Sequence, residues 1–259
     1  MPSSSHRPRK RFGQHFLHDP RILARIVEAV GPCRDDFLVE IGPGEGALTR
    51  PLLERAGKLE AIELDRDVAA SLAAQFPPYR LTVHCADALE FDFGRFPAGM
   101  RLVGNLPYNI STPLLFHLAR HAQRMRDLHF MLQLEVVERM VAAPSSAAYG
   151  RLSVALQARF RMKKLFKVSR GAFRPPPKVE SAVVRLEPLA ERAYTDEALF
   201  DDILRKAFSA RRKQLRNALP LSSGDYEKLN IDPHLRPEDL SPEDYVRIAN
   251  YRRSMNSIL

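Results

Sequence analysis

"VEIGPGEGALT", residues 39–49, is where one periodicity gives way to another. The run "FLVEIG" (37–42) that leads into it is short and mostly apolar, the length of a buried strand. Behind it, "ALTRPLLERA" (47–56) carries apolar residues at helical spacing. Glycines 42, 44 and 46 occupy the joint, spaced G-x-G-x-G rather than as the dinucleotide G-x-G-x-x-G. Glycine lets a backbone pass close to a ligand, and a helix start offers free N–H groups. The stretch therefore predicts the first unit of a doubly wound sheet, with a ligand at the strand's carboxyl end.

The same alternation continues on the far side. "LEAIEL" (59–64), "LTVHC" (81–85), "RLVGN" (101–105) and "LHFMLQL" (128–134) read as strands. "DVAASLAAQF" (67–76) and "PLLFHLARHA" (113–122) read as the helices between them. Strand–helix alternation implies a parallel sheet covered on both faces, here over residues 20–188. Its last part, 164–188, has two strand-like runs around a Pro-rich loop, as in a hairpin added to the sheet. Residues 189–259 show only helical signals and predict a small helical unit. Thr195 precedes "DEALFDDILRKAF", with acids first and bases last, as the helix dipole prefers. Residues 1–19 read as a basic arm, without the apolar segment of a secretory signal.

Composition narrows the partners. The chain has 259 residues, 45% of them hydrophobic, and a net charge of +9, which favours a polyanion such as nucleic acid. Cys33 and Cys85 form no CxxC pair, and His117 and His121 lack the Glu of a zinc-binding helix, so no metal is expected. No apolar stretch approaches the ~18 residues of a membrane span.

Three strand ends carry matching chemistry. Glu63 closes the second strand, where an acid can hold two ribose hydroxyls. Asp87, after the third strand, can accept from an adenine amine. Glu40, just before the glycines, suits a ligand with a free amine better than a pyrophosphate. That set points to S-adenosylmethionine rather than NAD. Read singly, Glu63 is a solvated strand end and Asp87 a turn residue. After the fourth strand come Asn105-Leu106-Pro107-Tyr108, then Thr112-Pro113, read as a helix start with Thr as the cap.

From end to end the chain resembles the small-subunit ribosomal RNA adenine dimethyltransferases, the KsgA/RsmA family. The residues that carry this are "RKRFGQHFLHD", "VEIGPGEGALT", "IELDRD", "GNLPYNISTPLLFHL", "YGRLSV", "FRPPPKVESAVVRL" and "AFSARRKQLRN". The resemblance implies a Rossmann-like class I S-adenosylmethionine-dependent methyltransferase sheet with a small C-terminal helical domain. It implies cofactor contacts at His15, Leu17, Gly42, Glu63, Asp87 and Asn105, to which the glycine-loop reading adds Glu40 and Gly44. Position 15 departs from the many relatives that have Asn there. The implied reaction converts two adjacent adenines near the 3′ end of small-subunit ribosomal RNA to N6,N6-dimethyladenine. The expected setting is an assembling 30S particle in the cytoplasm, with the chain acting as a monomer and apart from membranes. A non-catalytic assembly factor or organelle transcription factor on the same scaffold is the competing reading.

The tetrapeptide then acquires a role. An adenine amine is a weak nucleophile because its lone pair is delocalised into the ring. The Asn105 side-chain carbonyl and the Leu106 main-chain carbonyl can accept both amine hydrogens, while Pro107 keeps them aimed. Tyr108 can stack on the flipped base, and the resemblance makes Phe173 the second aromatic wall. The other reading of Phe173 is a hydrophobic plug under the Pro-rich turn. For RNA, the expected contacts are Arg9, Lys10 and Arg11 in the arm, and Arg211, Arg212, Lys213 and Arg216 in the helical unit. Residues 159–178 add eight Lys or Arg without one acid.

Overall fold

The computed structural model describes residues 15–190, 194 and 196–256. The first elements are β1 (Phe16–Leu17) and α1 (Pro20–Val30). Asp19 caps α1, its carboxylate accepting from the Arg21 and Ile22 amides, with Pro20 at the first helical position. Then follow β2 (Leu38–Ile41), α2 (Thr49–Ala56), β3 (Leu59–Glu63), α3 (Arg66–Ala73) and β4 (Leu81–Cys85). Next come β5 (Met100–Asn105), α4 (Ser111–Ala119), β6 (Met125–Gln133), α5 (Leu134–Met140) and α6 (Arg151–Gln157). The sheet finishes with β7 (Phe160–Val168), β8 (Phe173–Arg174) and β9 (Ser181–Pro188). Four helices close the chain: α7 (Glu197–Ser209), α8 (Leu215–Ala218), α9 (Ser223–Leu229) and α10 (Pro242–Asn256).

Seven strands form one sheet in the order β4-β3-β2-β5-β6-β9-β7. The first five are parallel, and β9 runs antiparallel to both β6 and β7, which makes the expected hairpin. From β2 the chain winds outward through β3 and β4, then returns to the other side as β5. That reversal leaves a crevice at the carboxyl ends of β2 and β5. Alternate residues of each strand serve opposite cores, Val39 and Leu102 on one face, Leu38 and Val103 on the other. Both faces are therefore apolar, as a parallel sheet covered on both sides requires.

A third core gathers Tyr149, Phe200, Leu204 and Tyr245 around the C-terminal helices. It also takes Val154 and Ala155 from α6, while Leu152 and Leu156 of the same helix face the sheet. The helical core thus reaches back beyond residue 189. Arg159 pins the two parts together: it is buried, with Nη2 3.0 Å from both Glu197 and Asp201.

Three local expectations need correction. Helix α4 starts two residues early, with Ile110 at its cap and Thr112-Pro113 inside the first turn. The cause is a turn already formed at Pro107, whose carbonyl accepts from Ile110 N–H (3.2 Å) and Ser111 Oγ (2.9 Å). Proline loses nothing there, because first-turn amides have no partner within the helix. Secondly, Asp196 caps α7, accepting from Leu199 N–H at 2.9 Å, and Thr195 lies outside the described residues.

The third concerns the basic arm, which ends inside the fold. β1 pairs antiparallel with β8, Phe16 opposite Arg174 and Leu17 opposite Phe173. Leu17 is buried in the α1-side core, so burial of that one side chain ties the segment down.

Candidate active site

A cavity of about 650 Å³ opens at the carboxyl ends of the central strands. The glycine loop forms its floor. Gly42 and Gly44 have φ of +67° and +55°, the left-handed region that glycine tolerates without strain. A Cβ on Gly44 would stand 3.1 Å from the Phe16 ring, so the loop also needs the space that glycine leaves.

Glu63 is no solvated strand end. It is 6% exposed, and its two oxygens accept from Gly44 N–H (3.2 Å) and Asp65 N–H (3.0 Å). Each carboxylate oxygen has a second lone pair, which leaves Glu63 able to take ribose hydroxyls. Burial pushes its pKa up against those stabilising amides. Glu40 is buried more deeply, accepts from Thr49 Oγ1 at 2.7 Å, and is pushed up to about 8 by desolvation. Asp87 lines the same cavity and holds its turn by accepting from Leu89 N–H at 2.8 Å.

Asn105 ends β5, and its Nδ2 donates to the His15 carbonyl at 3.0 Å. A carbonyl can only accept, so the amide nitrogen must face His15 and Oδ1 is left to accept elsewhere. Leu106 is tied down by its amide, which donates to the Met131 carbonyl at 3.1 Å. Tyr108 is half-buried, with its hydroxyl 2.7 Å from Ser181 Oγ and its ring centroid 5.5 Å from that of His15. The His15 Nδ1 stands 2.8 Å from the Pro175 carbonyl, which makes Nδ1 the protonated nitrogen. Asn105 to Tyr108, His15, Leu17, Glu40, Gly42, Gly44, Glu63 and Asp87 all line this one cavity.

A profile described as ribosomal RNA adenine dimethylase matches residues 5–254. This chain belongs to that family. It is 56% identical over 252 residues to the ribosomal RNA small subunit methyltransferase A of Aromatoleum aromaticum, covering 96% of this chain and 95% of that protein. The protein of the same name from Thiobacillus denitrificans is 58% identical, covering 95% and 98%. Among solved structures, a dimethyladenosine transferase from Plasmodium falciparum superposes with a TM-score of 0.80 at 28% identity, over 94% of this chain and 98% of that one. The 23S rRNA methyltransferase ErmE gives 0.67 at 27% identity, over 90% and 98%. The dimethylase is an S-adenosylmethionine-dependent enzyme with a Rossmann-like fold.

One group expected at the base pocket of the dimethylase is placed differently. The Phe173 ring is 2% exposed, packed with Leu17 and Val183 in the α1-side core, and does not line the cavity. Its neighbours Arg174 and Pro175 do. The β1–β8 register sets this: Phe173 is paired with Leu17, which is buried in the core as well as bordering the cavity, while Phe16 and Arg174 are paired on the cavity side. Arg211, expected among the RNA contacts, is paired with Glu238 and donates to the Ala147 carbonyl at 3.1 Å, with its side chain 41% exposed.

Other cations remain available to RNA. Arg212, Lys213 and Arg216 are exposed, and so are Arg161, Lys163, Lys164 and Lys167 along β7, an outer strand of the sheet. Arg9, Lys10 and Arg11 lie outside the described residues. No helix among the described residues is long and apolar enough to cross a membrane.

Proposed function

We propose that this dimethylase methylates the N6 amines of two adjacent adenines in a loop near the 3′ end of small-subunit ribosomal RNA. It works as a monomer in the cytoplasm, on an assembling 30S particle. One observation carries this reading: the Asn105 amide, its orientation locked by the His15 carbonyl, stands beside Leu106, Pro107 and Tyr108 at the cavity wall.

The residues divide the work. Glu63 and Asp87 suit the ribose and adenine of the cofactor, and the Gly42–Gly44 loop suits its close approach. Glu40 suits its amine. Bound S-adenosylmethionine supplies an electrophilic methyl group on a sulfonium. Asn105 Oδ1 and the Leu106 carbonyl accept the two hydrogens of the target amine, which pulls the nitrogen toward a tetrahedral shape and frees its lone pair. Tyr108 supports one face of the flipped base. Orientation and electrostatics perform the catalysis, and the methylated ammonium sheds its proton without a strong general base. The exposed cations of β7 and of the turn after α7 take the RNA backbone.

The intact acceptor loop supports catalysis over the non-catalytic reading. Purified protein is incubated with labelled S-adenosylmethionine and undermethylated small subunits, and the modified bases are mapped. Two neighbouring dimethyladenines near the 3′ end are expected. Binding of subunits without any transfer of label would favour the assembly-factor reading.

A further inference from the structure

The hydroxyls of Tyr108 and Ser181 stand 2.7 Å apart, and nothing in the acceptor chemistry above uses that contact. Ser181 opens β9 and is held on both sides, opposite Gln133 of β6 and Val168 of β7. Its side chain is completely buried (0% exposed), so its position is fixed by the sheet rather than by the cavity. The bond therefore runs from a rigid strand to the tip of a ring that lines the cavity wall.

The direction of the bond follows from burial. A buried hydroxyl whose proton finds no acceptor is costly, and such groups are nearly always satisfied. Among the described residues, the Tyr108 oxygen is the hydrogen-bonding partner of the Ser181 hydroxyl. Ser181 accordingly donates and Tyr108 accepts. The proton of Tyr108 itself is left for the cavity side, where the residue is only half-buried. Burial raises the Tyr108 pKa, outweighing the opposite effect of the Ser181 bond, so the phenol keeps that proton.

We propose that Ser181 is a positioning residue for methyl transfer. It fixes the plane of Tyr108 under the target base and turns the Tyr108 hydroxyl proton toward an acceptor atom of the bound nucleotide. The inference rests on the reading of Tyr108 as the base platform.

The test is a double-mutant cycle read as single-turnover methylation of undermethylated small subunits. Ser181→Ala should slow transfer about fivefold, the scale of one lost hydrogen bond, and Tyr108→Phe at least as much, since it removes the Ser181 bond and the bond to the nucleotide together. The double variant should be no more than about twofold slower than Tyr108→Phe, because Ser181 acts only through the hydroxyl that this variant already lacks. Ser181→Cys, a weaker donor of similar shape, should fall between. Cofactor affinity should not move, since Ser181 lies off the glycine loop. A wild-type rate for Ser181→Ala, or losses that multiply in the double variant, overturns the proposal. If Ser181→Ala fails to fold, the cycle of Ser181→Cys with Tyr108→Phe is read by the same criteria. Tyr108→Ala separates the two levels. A slow Tyr108→Ala beside a normal Ser181→Ala removes only the role of Ser181, whereas a normal Tyr108→Ala removes the platform reading itself.

Discussion

The side-chain amide of Asn105 donates from Nδ2 to the main-chain carbonyl of His15 across 3.0 Å, joining positions 90 residues apart. Because the partner is a main-chain atom, no substitution at position 15 removes it directly. The orientation of the acceptor amide thus depends on the path of the chain and not on the identity of residue 15.

Asn105→Ala is expected to slow methyl transfer roughly 100- to 1,000-fold, the usual effect of losing one aimed electrostatic contact, with RNA affinity retained. Asn105→Asp should be comparably slow despite its similar size, since a carboxylate cannot donate to the His15 carbonyl. Single-turnover rates decide this. A near-normal rate for either variant would end the acceptor argument.

Glu63→Ala should weaken cofactor binding by about 1.5–3 kcal/mol, or roughly ten- to a hundredfold, as a charge-assisted contact is lost. It should also lower the melting temperature of the free protein, because Gly44 and Asp65 lose a shared anchor. Calorimetry and a thermal melt are read together. Unchanged cofactor affinity in a destabilised variant would leave Glu63 a purely structural brace.

Glu40 gives a pH dependence of definite sign. Folding raises its pKa from 4.5 to about 8. Between those values the folded chain holds a proton that the unfolded chain has released, so stability falls as pH rises and levels off above about 8. Glu40→Gln should therefore match wild type at about pH 5 and melt higher at about pH 9. A cation placed beside Glu40 favours its ionised form, so cofactor binding at about pH 7 should release close to one proton. Heats measured in buffers of different ionisation enthalpy report that proton, and the Gln variant should release none.

Phe173 separates a plug from a wall. As a core side chain it should cost about 3–5 kcal/mol of stability when cut to Ala. Phe173→Leu should keep most of both stability and activity. Normal melting with failed methyl transfer in Phe173→Ala would return the ring to the base pocket.

Among the basic residues, Arg211→Gln should lower the melting temperature, since Arg211 ties the turn after α7 to Glu238 and Ala147. Changing Arg212, Lys213 and Arg216 together to Gln should leave the melt unaltered. The log–log salt slope of RNA binding should then shrink by about 2 to 3, one phosphate being lost per residue. An unchanged slope would exclude these three from the RNA face.

The parts of the fold that could be read from residues alone are those with enough length to show a period. β2 to β6, the glycine loop and α7 all have it, and the carboxylates that line the cavity followed from where those strands end. β1 and β8 have two residues each, too few for any period, and they lie more than 150 residues apart. The side on which Phe173 falls is decided only by that pairing. Arg101 was hidden for a similar reason. It opens the run "RLVGN" like a solvated strand end, yet it is 4% exposed, bonded to Asp127 at 2.9 Å and Asp36 at 2.6 Å. Only the register that sets Arg101 opposite Asp127 explains a charge at that depth.

The β1–β8 pairing also orders events during synthesis. Chains emerge from the ribosome from their amino terminus, and elements fold as their partners become available. The glycine loop and acceptor loop, both complete by Tyr108, are exported while β8 is still unmade. His15 and Phe16 then have no strand to lie against, so the cavity stands open along one wall and the Asn105 amide has no settled partner. Export of residues 173–175 closes that wall in one step, setting Phe16 against Arg174 and His15 against Pro175. A nascent chain shorter than this holds the glycine and acceptor loops without the wall that aims them, and an enzyme that modifies ribosomes leaves its own ribosome with that wall among the last parts of its pocket to form.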